Sequence, residues 1–145
     1  MRITSFTDYG LRTLMYLASL PPQELSSVEQ VAKVYGVSQN HMVKVVGQLK
    51  KLGYVETLRG KNGGIRLEKE PDDINIGQVI EKMEQHLDGV DCFTSNCQLV
   101  PCCELKTALS IAMKAFLDAM GNYTLADLMR NKQELIPLMS IYSSK

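Results

Sequence analysis

Residues 27–67 read SVEQVAKVYGVSQNHMVKVVGQLKKLGYVETLRGKNGGIRL. Ser27-Val28-Glu29-Gln30 has the form of a capping box: a hydroxyl bonds the helix start, and a side chain three residues on reaches back. It opens a short helix predicted to run to about Val34. Tyr35-Gly36-Val37 is a tight turn in which Gly36 can supply a positive φ. Ser38 then caps a third helix running to Leu52. Met42, Val45, Val46, Leu49 and Leu52 share one face of it, while Asn40, Lys44, Gly47 and Lys51 share the other. A short helix, a glycine turn and a capped second helix with a basic outer face have helix-turn-helix spacing. Tyr54–Leu58 and Ile65–Leu67 are two β-like segments around Arg59-Gly60-Lys61-Asn62-Gly63-Gly64. They predict a hairpin, and a hairpin directly after a recognition helix is a wing.

Working outward, Ser5 to Leu20 reads as a helix with Phe6, Tyr9, Leu14, Leu17 and Ala18 on a broad apolar face, stopped by Pro21-Pro22. Pro71-Asp72-Asp73 opens a helix from about Ile76 to Gln85. His86 to Cys102 has no periodicity and reads as a loop, and Cys103 to Met120 reads as a long helix. Leu105, Leu109, Ala112 and Phe116 repeat along it, with Ile111, Ala115 and Met120 as a second apolar flank. A helix apolar on more than one side needs more partner than a small domain offers, so dimerisation through this stripe is expected. A last short helix from Thr124 to about Arg130 is followed by an apolar tail. The expected fold is mainly α: a winged helix-turn-helix domain with a two-stranded wing over 1–85, a cysteine-bearing loop over 86–104, and a dimerisation helix with a C-terminal helix over 105–145.

The formal net charge of zero is a cancellation. Residues 1–70 hold ten Lys/Arg against six Asp/Glu, and 71–145 hold six against ten. Between Gln39 and Arg66 six basic residues face only Glu56. That asymmetry points the N-terminal half at nucleic acid. Gln39, Asn40 and His41 occupy the first turn of the third helix, where side chains reach base edges, and Asn or Gln can bond an adenine edge in two places. The wing tip is expected to carry Arg59, Lys61 and Arg66 toward DNA, and Lys44, Lys50, Lys51, Arg59 and Lys61 are expected mainly on phosphate. Gly63 and Gly64 would let the backbone approach one closely. The N-terminal residues lack an apolar core of the secretory kind, and no apolar run reaches bilayer length, so a cytoplasmic protein is expected.

The four cysteines fall between 92 and 103, as Cys92-x4-Cys97-x5-Cys103 with Cys102 adjacent. In a reducing compartment that clustering favours metal or redox chemistry over structural bridges. The paired C-x2-C knuckles of structural zinc are missing, and thiolates in an open loop suit an iron–sulfur cluster better. A redox disulfide and buried inert thiols are the other readings. No nucleotide loop or acid–base pair accompanies the cysteines, so an enzyme is not expected. Asp8 reads locally as part of a capping-box-like start at Ser5-Phe6-Thr7-Asp8, an acidic residue suited to a helix dipole.

Taken together, Thr4 to Arg12, Tyr35 to Ser38, Asn40 to Lys44, Gly53 to Val55, Arg59 to Leu67, the three spaced cysteines, Leu105-Lys106 and Asn122 to Leu128 resemble the Rrf-two family of winged helix-turn-helix transcriptional regulators. One branch of that family carries a histidine three residues after the third cysteine. Lys106 stands there, which points to the nitric-oxide-sensing branch. The resemblance implies a homodimeric repressor on an inverted-repeat operator, with one iron–sulfur cluster per subunit, 4Fe–4S or else 2Fe–2S. It implies Cys92, Cys97 and Cys103 as ligands and Asp8 of the partner subunit as a fourth. Nitric oxide would damage the cluster and release DNA. Cys102 departs from the family pattern and could replace Cys103 or resolve a disulfide. The alternative is a winged-helix regulator that senses redox or iron through another cluster or a disulfide.

Overall fold

The computed structural model of the chain describes residues 1–143. Helix α1 spans Ser5–Ser19, α2 Val28–Tyr35 and α3 Gln39–Lys51. Strands β1 (Val55–Leu58) and β2 (Gly64–Leu67) pair antiparallel, Val55 opposite Leu67 and Leu58 opposite Gly64. Then follow α4 (Ile76–Met83), α5 (Glu104–Met120), α6 (Leu125–Leu128) and α7 (Lys132–Ser143). This is a mainly helical winged helix-turn-helix, as the sequence predicts.

The punctuation is local and chemical. Ser27 and Ser38 accept hydrogen bonds from Gln30 N and His41 N, which satisfies donors that helix starts leave open. Gly36 ends α2 in the left-handed region at φ 65°, where a side chain would be strained. The wing is tied down at its root. Ser26 and Ile65 exchange backbone bonds of 2.9 and 2.8 Å.

One core serves α1 to α4 and the wing. Leu14, Val31, Met42, Val45, Leu49, Val55, Ile76 and Val79 are fully buried in it. α6 contributes Leu125, also fully buried, and closes on a capping box between Thr124 and Asp127. The residues after α6, read from sequence as an apolar tail, form a helix. Pro137 lies inside α7 and removes one helical hydrogen bond. Leu135, Leu138 and Met139 line a groove with Leu11, Met15 and Val34, where α7 lies against α2 and α1.

α5 buries none of its residues fully. Phe116, Leu117 and Met120 pack against the core, and Gly89 of the preceding loop lies against Leu109 and Met113. The opposite side carries Ala108, Ala112, Ala115 and Ala119, with Leu105 63 % and Ile111 65 % exposed. The expected stripe is therefore divided. Leu109 and Phe116 face their own chain, whereas Leu105 and Ala112 face outward.

α4 and α5 touch backbone to backbone at Gly77. A Cβ there would stand 2.6 Å from Gly121 N and 2.9 Å from Leu117 O, atoms that cannot turn aside. Gly77→Ala is expected to lower stability by about 1–3 kcal/mol, the range for overpacking. Urea unfolding followed by circular dichroism measures it, and an unchanged midpoint would refute the close contact.

Candidate nucleic-acid interface and cysteine loop

α3 has two faces with separate tasks. Met42, Val45, Val46 and Leu49 are at most 5 % exposed and hold the helix to the core. Gln39, Asn40, Val43, Lys44, Gly47, Lys50 and Lys51 are exposed. Val43 is 51 % exposed and lies beside Asn40 and Lys44, an apolar group able to meet a thymine methyl. Reading by residue type passed it over. Its signal was three-residue spacing from Asn40 on the polar face. His41 is turned inward: its ring lies edge-on to Phe6 and Tyr9, at 6.4 and 5.7 Å between centroids.

Arg59 and Lys61 stand exposed in the wing turn. Arg66 does not share the tip with them. It sits in the ladder opposite Glu56 and pairs with its carboxylate. Gly63 and Gly64 have internal reasons to be glycine. A Cβ at either would come within 2.3 Å of backbone oxygen, from Leu58 and Ser26 respectively. Among the described residues, Lys44, Lys50, Lys51, Arg59 and Lys61 enter no ion pair with an acidic side chain. Their charges stay available to phosphate.

The loop between α4 and α5 carries the cysteines. Asp91 organises its start by accepting from Phe93 N and Thr94 N at 3.1 and 3.0 Å and from the Thr94 hydroxyl. The Thr94 bonds, side chain first, hold its carboxyl below the usual range. Cys97 N donates to Cys92 O at 3.4 Å, closing a turn. Cys103 is the N-cap of α5, its Sγ accepting from Lys106 N at 3.4 Å. All four thiols are free; Cys92, Cys97 and Cys103 are half-buried and Cys102 is exposed. Among the described residues no three Cys, His, Asp or Glu are gathered around one ion-sized point. The donors still suit an iron–sulfur cluster: three soft thiols on one loop, flanked by Phe93 and Leu99, apolar side chains 92 % and 64 % exposed that could exclude water from a bound group.

Asp8 lies elsewhere. Thr4, one residue before Ser5, is the cap of α1, so Asp8 takes no part in a capping box. Its carboxylate accepts from Arg12 Nε at 2.9 Å, both side chains being partly exposed. Tyr35 donates its hydroxyl to Arg12 O at 2.7 Å, and burial pushes the Tyr35 pKa up. Asp8 borders the groove between α1, α2 and α7, of about 690 Å³, which none of the four cysteines lines.

A helix-turn-helix with an unpaired basic outer face, followed by a wing, defines a winged-helix DNA-binding regulator. Residues 3–131 match the Rrf2 family, described as an iron-dependent transcriptional regulator, and the chain belongs to that family. Its members are dimeric DNA-binding regulators. The chain is similar to CymR (YrzC), the global cysteine regulator of B. subtilis, with 28 % identity, 88 % of this chain and 95 % of that one covered, and a TM-score of 0.65. It is also similar to the oxidized form of CymR from Staphylococcus aureus, with 25 % identity, coverages of 90 % and 97 %, and a TM-score of 0.70. IscR of T. potens shares the fold at 24 % identity, with coverages of 93 % and 90 % and a TM-score of 0.72. No helix of the described residues is long and apolar enough to cross a membrane.

Gly47 has no internal justification. It lies in the middle of α3, and a Cβ there would meet nothing within 4 Å. A mid-helix glycine costs about 0.5–1 kcal/mol relative to alanine. Its use on the exposed basic side of α3 is explained if a nucleotide backbone comes close. Gly47→Ala is therefore expected to raise thermal stability while weakening DNA binding. Differential scanning calorimetry and a binding titration check it together, and a variant both more stable and equally tight would refute the close approach.

Proposed function

We propose that the chain is a dimeric repressor of the NsrR type that holds an iron–sulfur cluster, of 4Fe–4S form, and senses nitric oxide through it. The observation that carries this reading is the placing of three half-buried free thiols on the loop that joins the DNA-binding core to α5. Cys92, Cys97 and Cys103 would hold the cluster, and Asp8 of the partner subunit would add an oxygen ligand. When bound, such a group supplies iron that reacts with nitric oxide. The chain's own part is mechanical. Cys103 caps α5, so a constraint on its thiol constrains the start of the helix with the exposed apolar stripe Leu105, Ile111 and Ala112. That stripe is proposed as the dimer contact, and it would fix the spacing of two recognition helices over half-sites one helical turn apart. Asp8 is held at home only by a partly exposed ion pair with Arg12, worth at most about 1 kcal/mol, so exchanging it for another partner costs little.

A thiol-redox regulator without a cluster is the second reading. The similarity to CymR and the exposed Cys102 beside Cys103 support it. Protein purified without oxygen separates the two. Under the cluster reading it is brown. Cys92→Ser, Cys97→Ser and Cys103→Ser each remove the visible absorption, Cys102→Ser retains it, and nitric oxide bleaches it as DNA affinity falls. Colourless wild-type protein whose DNA binding responds to oxidants would instead establish the thiol reading.

On DNA, the wing and the recognition helix are expected to differ in kind. Lys61→Ala in a symmetric dimer deletes two phosphate contacts. The slope of log affinity against log salt should flatten by about 2, with sequence preference kept. Asn40→Ala should leave that slope and lose about 1–3 kcal/mol of discrimination at one base pair per half-site. Salt-titrated binding to the preferred sequence and its single-base variants checks both. Equal weakening on all sequences by Asn40→Ala would move specificity away from α3.

A further inference from the structure

The start of α1 is fixed by a residue 80 positions away from its cap. Glu84 closes α4, at the root of the loop that carries the cysteines. One carboxylate oxygen accepts from Thr4 N at 3.2 Å. The other accepts from Thr4 N at 3.3 Å, from Thr4 Oγ1 at 3.1 Å and from Thr7 Oγ1 at 2.5 Å. In a local capping box the third helical residue returns a side chain to the cap N–H. Here that residue is Thr7, fully buried and itself a donor to Glu84. The acceptor that completes the box comes from α4. A carboxylate there also meets the positive end of the α1 dipole.

What α1 holds next is the recognition helix. Phe6 and Tyr9, on either side of Thr7 in the first turns of α1, seat the His41 ring. His41 lies in the first turn of α3 beside the exposed Gln39 and Asn40. On the other side, Glu84 forms part of the wall of a cavity of about 350 Å³, together with His86, Leu87, Gly89 and Asp91 of the loop and Phe116 of α5. The residue that anchors α1 thus stands at the root of the segment that carries the cysteines.

We propose that Glu84 is a positioning residue for DNA recognition, coupling the root of the cysteine loop to the start of α3 through Thr7, the α1 N-terminus and the His41 ring. The coupling rests on the DNA-binding reading of α3 but not on the presence of a cluster. A merely structural carboxylate would stabilise α1 without moving His41.

The chain has two histidines, so ring-labelled full-length protein reports His41 directly once His86→Asn has identified the other signal. Glu84→Ala and Thr7→Val are each expected to shift the His41 imidazole resonances in the folded protein. The double variant should add nothing beyond the larger single effect. The DNA arm uses a duplex that the wild type selects from a randomised library. There, Glu84→Ala and His41→Ala together should weaken binding less than the product of the single effects, by about threefold or more, as for residues that share one network. An unmoved His41 signal, or single effects that simply multiply, would overturn the coupling. Should Glu84→Ala not fold, Thr7→Val alone decides by the same signal. Failure of the wild type to select any sequence would overturn the DNA reading, while the His41 signal still decides the coupling.

Discussion

Everything the outer face of this helix-turn-helix presents depends on the burial of one stripe of α3. Met42, Val45, Val46 and Leu49 are driven into the core by about 1.5–3 kcal/mol each, which orients the helix. Once those four residues are inside, Asn40, Val43, Lys44 and Gly47 face outward, since 3.6 residues per turn permit no other arrangement. The basic residues then need no further positioning. They lie on the outer face of α3 and in the wing turn, without acidic neighbours to neutralise them.

The wall behind α3 is made by α1. α1 packs on the recognition helix on one side and on α4, α6 and α7 on others. Its start is held by hydrogen bonds to Glu84 and its far side by the α7 groove. Charge-assisted hydrogen bonds of this kind are worth roughly 1.5–3 kcal/mol in net terms. That is strong enough to define a position and weak enough to be altered by a change in the loop that follows Glu84. The exposed Asp8–Arg12 pair is weaker still, and so is suited to partner exchange.

The long helix of the C-terminal half has two different faces. α5 uses Phe116, Leu117 and Met120 to dock on the core, and turns Leu105, Ile111 and four alanines to solvent. Small side chains along one face allow a second helix to approach closely. Cys103 at the head of the same helix places the cysteine loop next to that face, so the chemistry of the loop and the geometry of any contact there are linked by covalent structure.

The sequence by itself determined the elements whose signals are local. Serine caps, the Gly36 turn, the alternation of α3 and the glycine-rich wing all act within a few residues, where sterics and hydrogen bonding leave one solution. It also determined the cysteine spacing and the charge imbalance between halves. Tertiary structure decided which residues received distant partners. Sequence placed the cap of α1 at Ser5 with Asp8; the structure caps it at Thr4 and brings the completing carboxylate from Glu84. Arg66, counted among the basic residues of the wing tip, is taken by Glu56 across the ladder. His41 turns to Phe6 and Tyr9, the α5 stripe divides between core and solvent, and α7, helical through Pro137, lies against α1 and α2. In each case the deciding group is far off in the chain, and residue spacing along one helix or strand carries no information about what will pack against it.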